Sequence, residues 1–204
     1  LHYHDLGPNL ATLQKFTRDV LTKKGKNVRI ENYKLEEEID KLGKVDKVLT
    51  RGQLALVQVV KEPISTKGPR LSCDISIAGR FLVLVPFSNG VNISKKITSK
   101  AERNRLQKLM SSIKPKNYGV IVRTVAEGKA VEEMERDLKE SIAKWEDGIK
   151  KLVDAKPADR IIGEMSRATS MLRDLLNNDF DNVIVDSPDL YNEAKEYVHK
   201  DRKS

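Results

Sequence analysis

The sequence predicts an α+β protein. A mainly β part over residues 1–74 would hold a partial small β-barrel with a helical insertion at about 8–51, and an α/β part would follow over residues 75–204. Three observations carry this expectation. Residues 53–60, 71–77 and 80–87 are β-branched and apolar with short polar interruptions, a composition that suits strands rather than helices. Between the first two runs lies a basic loop bounded by Pro63, Gly68 and Pro69, the arrangement by which a small barrel presents cations at its surface. From residue 75 onward short apolar runs alternate with amphipathic patterns, which sets helices against a sheet.

Residues 1–3 read as the end of a strand. Asn9 can cap a helix whose residues Leu10, Leu13, Phe16, Val20 and Leu21 share one face, ending near Lys24-Gly25. Leu35, Ile39 and Leu42 suggest a second helical piece stopped by Gly43, and the two pieces form the insertion. After the three β runs, Ser88-Asn89-Gly90 is a hairpin signal, because Asn-Gly accepts positive φ. Ser99-Lys100-Ala101-Glu102 is a capping box opening a helix with Leu106, Leu109, Met110 and Ile113 on its core face, closed at Lys114-Pro115. Residues 118–125 form a strand, with a turn at Glu127-Gly128. The longest helix follows, with Val131, Met134, Leu138, Ile142, Trp145, Ile149 and Leu152 spaced three or four apart. Short strands are expected at 160–162 and 182–185, with a helix around Met171 and Leu175 between them. Ser187-Pro188 then caps a last helix.

Over 204 residues, 39% are hydrophobic and 33% charged, as in a folded protein. No run of about eighteen apolar residues exists, so nothing is expected to span a membrane. The single cysteine, Cys73, suits a buried small hydrophobe and a cytoplasmic location. Charge is unevenly placed. Between residues 91 and 117 stand Lys95, Lys96, Lys100, Arg103, Arg105, Lys108, Lys114 and Lys116 against Glu102 alone, a surplus of seven in a chain of net charge +8. Such a field attracts phosphodiesters, whereas the plain alternative is a solvated helix face.

The motif evidence is more specific. Val60-Lys61-Glu62-Pro63 continues through Lys67-Gly68 to Leu71, and Ile75-Ser76-Ile77-Ala78-Gly79-Arg80-Phe81-Leu82-Val83-Leu84-Val85-Pro86 follows. Gly119-Val120-Ile121-Val122-Arg123-Thr124 and Lys144-Trp145-Glu146 complete the set. Together these runs resemble the ribonuclease E/G family. In that family they join an OB-fold RNA-binding domain, of the ribosomal protein S-one type, to a 5′-phosphate sensor domain. The resemblance is continuous over about residues 52–198, and residues 8–51 match nothing in the family core. It further implies that the chain is a fragment of a longer enzyme, lacking the first barrel strands and the nuclease domain.

Carried over to this sequence, the resemblance makes Arg123 and Thr124 the 5′-phosphate-sensing pair, with Gly79 and Val83 contacting the terminal nucleotide. The chemistry is sound: a guanidinium fork can grip two phosphate oxygens while an adjacent hydroxyl donates to a third. Neighbours on a strand face opposite ways, so both reach one phosphate only where the strand ends. Gly79 would let a main-chain N–H approach closely, and otherwise marks a bend. Val83 is otherwise a core residue. Lys67 stands at the family's RNA-binding lysine, with Gly68 giving a tight path, and Lys95-Lys96 replaces a frequent Arg-Arg pair, keeping the charge without the fork.

Other chemistry is discounted. His2 and His4 share a strand face without a third ligand. The acids Glu132, Glu133, Glu135 and Asp137 read as a solvated helix face. No cofactor is expected in this chain, and the Mg²⁺ that the resemblance implies belongs to carboxylates outside it. The expected partner is single-stranded RNA, preferably 5′-monophosphorylated, and the resemblance leaves room for a homo-oligomer in the full-length enzyme. The reading is the RNA-binding, 5′-sensing segment of an endoribonuclease, with no catalytic residue of its own. Two other readings stand beside it: a non-enzymatic RNA-binding module, as in ribosome assembly, and a helical insertion that docks protein.

Overall fold

The computed structural model describes residues 2–22, 28–176 and 180–202. The chain divides into a unit over Leu1–Ile161 and a smaller unit over Ile162–Ser204.

The larger unit is organised around a four-stranded sheet of order β3-β4-β6-β5. Its strands are β3 (Ile77–Ala78), β4 (Leu82–Pro86), β5 (Val91–Ile93) and β6 (Tyr118–Val122). β4 lies antiparallel to β3 and β6, in register Leu82 with Val122 and Pro86 with Tyr118. β5 runs parallel to β6, so the connection between them crosses over through α3 (Lys100–Ile113). Alternation decides the faces. Leu82, Leu84, Tyr118, Val120 and Val122 are buried, while Val83 and Val85 are half-buried and Ile121 is exposed.

The buried face is covered by α4 (Val131–Leu152), which lies against β3 and β4. Its Met134, Leu138, Trp145, Ile149 and Leu152 are buried at the expected helical spacing. α3 packs Leu106 and Met110 beside β5. Against α4 also lies α1 (Leu10–Thr22), whose Phe16 ring stands 5.0 Å from Phe87 and 6.3 Å from Trp145. The expected insertion therefore supplies part of the core. A separate two-stranded sheet, β1 (Gln58–Lys61) with β2 (Arg70–Ser72), is antiparallel and largely exposed. Among the described residues no closed barrel forms.

Several local expectations need correction. Residues 3–6 form a 3-10 turn instead of a strand end, which removes the shared strand face of His2 and His4. The expected end of α1 at Lys24-Gly25 lies outside the described residues. The second insertion helix is absent: residues 33–40 are non-helical, and only one turn, α2 (Val45–Val48), follows. Tertiary bonds override the helical pattern there, with Glu36 N–H donating to Thr12 Oγ1 at 2.9 Å and Ile39 N–H to Pro8 O at 3.0 Å. Ser88-Asn89-Gly90 is not a hairpin, since β4 and β5 are not neighbours; positive φ falls on Phe87 instead. The capping box is half formed. Ser99 Oγ accepts the Glu102 N–H at 3.3 Å, but the Glu102 carboxylate goes to Arg105 and to the Gly128 N–H.

In the smaller unit α5 (Arg167–Leu175) and α6 (Pro188–Arg202) pack together. Glu193 joins them by accepting from Thr169 Oγ1 at 2.7 Å. Residues 160–162 and 182–185 form no strand, having no neighbouring strand to complete a ladder, and Ile184 is 95% exposed. No helix among the described residues is long and apolar enough to cross a membrane.

Candidate 5′-end and RNA-binding site

β6 ends at Val122, and Arg123 precedes a 3-10 turn over Thr124–Ala126. The strand end expected from the Arg-Thr pair is therefore present. The Arg123 N–H donates to Phe81 O at 2.8 Å, continuing the β4–β6 ladder by one residue. Its guanidinium turns toward the β3–β4 connection, where Nη1 donates to Gly79 O at 2.9 Å and Arg80 O at 3.1 Å. Two carbonyls on one guanidinium nitrogen fix the plane of the fork.

Thr124 is exposed, and its hydroxyl lies 2.9 Å from Ser94 Oγ. Ser94 closes β5 against β6, its N–H donating to Val122 O at 2.9 Å, and its hydroxyl accepts from Lys96 N–H at 3.4 Å. Parallel pairing of β5 with β6 thus carries Lys95 and Lys96, both exposed, to the end of the strand that leads into Arg123 and Thr124.

Gly79 is tied into the β3–β4 connection. Its N–H already donates to Leu82 O at 2.8 Å. Its missing Cβ makes room for Asp137: a methyl group there would stand 2.6 Å from both carboxylate oxygens. Asp137 is 8% exposed, so it does not belong to a solvated face as expected from its acidic neighbours. Val83 sits on the half-buried face of the sheet, lining a cavity of about 330 Å³ with Val85, Ile121, Asn92 and Asp74. Neither Arg123 nor Thr124 lines that cavity. Gly119 is fixed by packing, since a Cβ would meet Ser88 Oγ at 2.6 Å.

The basic segment is less uniform than its sequence. Arg103 donates to Ser94 O at 2.7 Å and Ile97 O at 3.1 Å, and Arg105 forms a two-pronged pair with Glu102 at 2.7 Å. That pair and the Gly128 N–H hold the Glu102 carboxyl down at about 2. Burial lowers the pKa of Lys114. Lys95, Lys96, Lys100, Lys108 and Lys116 remain as exposed ammonium groups. Sequence reasoning missed two further cations: Arg80 lies 5.4 Å and Lys129 5.7 Å from the Phe81 ring centre, beside the Arg123 anchor.

Lys67 is exposed at the tip of the β1–β2 loop. The loop is closed by reciprocal bonds between Ile64 and Lys67, at 3.0 and 3.1 Å, with Ser65 at φ +52°. Gly68 has open space around it, so the tight turn is made by Ser65 instead. Among the described residues no group of three or more His, Cys, Asp or Glu is placed to hold a metal ion.

The profile of the Ribonuclease E/G family matches residues 76–204, more than half of the sequence and all of the four-stranded sheet. The chain belongs to the ribonuclease E/G family. Among curated relatives it is 39% identical to a Nostoc protein named Ribonuclease E, over 76% of this chain and 22% of that protein. It is 32% identical to Ribonuclease G of Haemophilus influenzae, over 80% of this chain and 33% of the relative. With Ribonuclease G of Escherichia coli it shares 33% identity over 76% and 32% of the two lengths. The chain thus spans about a fifth to a third of the curated ribonucleases E and G that it matches.

Proposed function

We propose that this chain is the RNA-binding and 5′-monophosphate-sensing part of a ribonuclease E/G-type endoribonuclease acting in RNA processing and decay. The observation that carries the reading is the junction at the end of β6. There Thr124 bonds Ser94 on the β5 side, beside exposed Lys95 and Lys96, and its neighbour Arg123 is held on the β3–β4 side by Gly79 O and Arg80 O. If Ser94 donates to Thr124 Oγ1, the threonine proton is directed to a phosphate oxygen, and the adjacent Arg123 adds a cation at the same strand end. Lys95, Lys96, Lys100, Lys108 and Lys67 neutralise backbone phosphates without reading bases. Anchoring the 5′ end would position a distant phosphodiester for cleavage. Hydrolysis itself, and the Mg²⁺ implied for it, is assigned to residues outside this chain.

The test compares one oligoribonucleotide with a 5′-monophosphate and with a 5′-hydroxyl on the same protein. The monophosphate should bind more tightly by about 1.5–3 kcal/mol, the scale of hydrogen bonds to a charged group. Arg123→Lys should lose most of that difference, because an ammonium keeps charge but not the fork. Thr124→Val should lose less. Equal affinity for the two ends in the folded wild type rejects the sensing role.

A further inference from the structure

Asp137 stands in sequence among the surface acids of α4, yet its carboxylate is buried at the β3–β4 connection. Oδ1 accepts the N–H of Arg80 at 2.9 Å, and Oδ2 accepts those of Phe81 at 2.9 Å and Leu82 at 3.0 Å. Three consecutive N–H groups converging on one carboxylate fix the path of the chain between the strands. Two carbonyls of that path, Gly79 O and Arg80 O, accept from the Arg123 guanidinium. Glycine at 79 is the residue that admits the carboxylate, because any Cβ there would overlap it.

We propose that Asp137 is a positioning residue for the 5′-end site: it sets the Gly79–Arg80 carbonyls that orient Arg123, and so acts on the RNA 5′ end without touching it. This rests on the sensing role of Arg123, and the test separates the two. Asp137→Asn keeps the shape, but its amide must turn an NH₂ toward at least one of the three N–H donors, so the connection shifts. Gly79→Ala keeps the hydrogen-bonding groups and pushes the carboxylate away; because Gly79 is itself a candidate RNA contact, this variant is read only by the RNA-free measurement, which covers the case in which Asp137→Asn does not fold.

Two readouts apply to the 204-residue chain. The first, without RNA, is hydrogen exchange at the Arg123 guanidinium by NMR; a folded variant should exchange at least about fivefold faster, an opening of roughly 1 kcal/mol. The second is the ratio of affinities for 5′-monophosphate and 5′-hydroxyl RNA, expected to fall at least about fivefold, while affinity for the 5′-hydroxyl RNA stays within about twofold. A merely structural aspartate would lower the melting temperature and leave that ratio alone. A folded variant that keeps both the wild-type exchange and the wild-type ratio overturns the positioning role and leaves sensing intact. A wild type without any preference for the monophosphate overturns sensing, and with it the proposal.

Discussion

Asn117 offers the sharpest test of how the segment after α1 is held to the sheet. It is 1% exposed, has φ +65°, and its side-chain amide donates to Ile30 O at 2.8 Å and Tyr33 O at 2.7 Å. Its own N–H donates to Asn89 Oδ1 at 2.8 Å, a bond that a side-chain substitution leaves in place. Asn117→Ala therefore removes both donors from two carbonyls and forces a Cβ residue without a helpful side chain into left-handed backbone. Each carbonyl left without its partner costs about 1–3 kcal/mol, with the lower half fitting groups that water can partly reach. The backbone adds about 1 kcal/mol. The sum is about 3–5 kcal/mol, a large share of the roughly 5–15 kcal/mol of an ordinary domain. Asn117→Gly loses the same bonds but not the backbone preference, and should be milder by about 1 kcal/mol. Urea unfolding followed by Trp145 fluorescence measures both, since the one tryptophan is buried 5.8 Å from Phe87. A change below about 0.5 kcal/mol for Asn117→Ala, or a glycine variant less stable than the alanine one, refutes the reasoning.

Phe16→Ala should cost about 3–5 kcal/mol by opening a cavity beside Phe87 and Trp145, and the same unfolding assay reads it. Glu102 carries a pH signature. Its pKa is depressed in the folded chain to about 2, first by Arg105 and then by the Gly128 N–H, so its contribution is present above the ordinary carboxyl value and fades as pH falls toward 2. Relative to wild type, Glu102→Gln should lose more stability at pH 7 than at pH 2–3; a pH-independent difference would contradict the assignment. Neutralising Lys95, Lys96, Lys100 and Lys108 together should flatten the dependence of log affinity on log salt by about 0.7 for each phosphate they no longer neutralise. An unchanged slope would place the RNA elsewhere.

Legibility followed the range of the forces involved. The length and buried stripe of α4 were plain because periodicity is local: Met134, Leu138, Trp145 and Ile149 need only their own helix to be read. Ser99 and Ser187 announced α3 and α6 for the same reason. What failed was non-local. No property of Val91–Ile93 says that its partner is a parallel β6 rather than the preceding β4. The Leu35, Ile39, Leu42 pattern lost to bonds offered by Thr12 and Pro8, over twenty residues upstream. At the candidate site the Arg-Thr strand end is legible in the sequence, and the carbonyls that hold Arg123 are not. Asp137 was hidden by its setting, since an acid among Glu132, Glu133 and Glu135 gives no sign that it alone turns inward.

The packing of Phe16 near Trp145 has a consequence for how the chain is made. The two rings meet across 129 residues of sequence. At a synthesis rate of roughly 5–20 residues per second, α1 leaves the ribosome about 6–26 s before its partner on α4 exists. Through that interval Leu10, Leu13, Phe16 and Val20, all buried in the finished protein, have no α4 to lie against. The nascent chain therefore carries an adhesive helix while the rest of the sheet and its cover are still being made. Slowing translation between residues 22 and 145 lengthens that exposure, and aggregation at this stage grows with the delay.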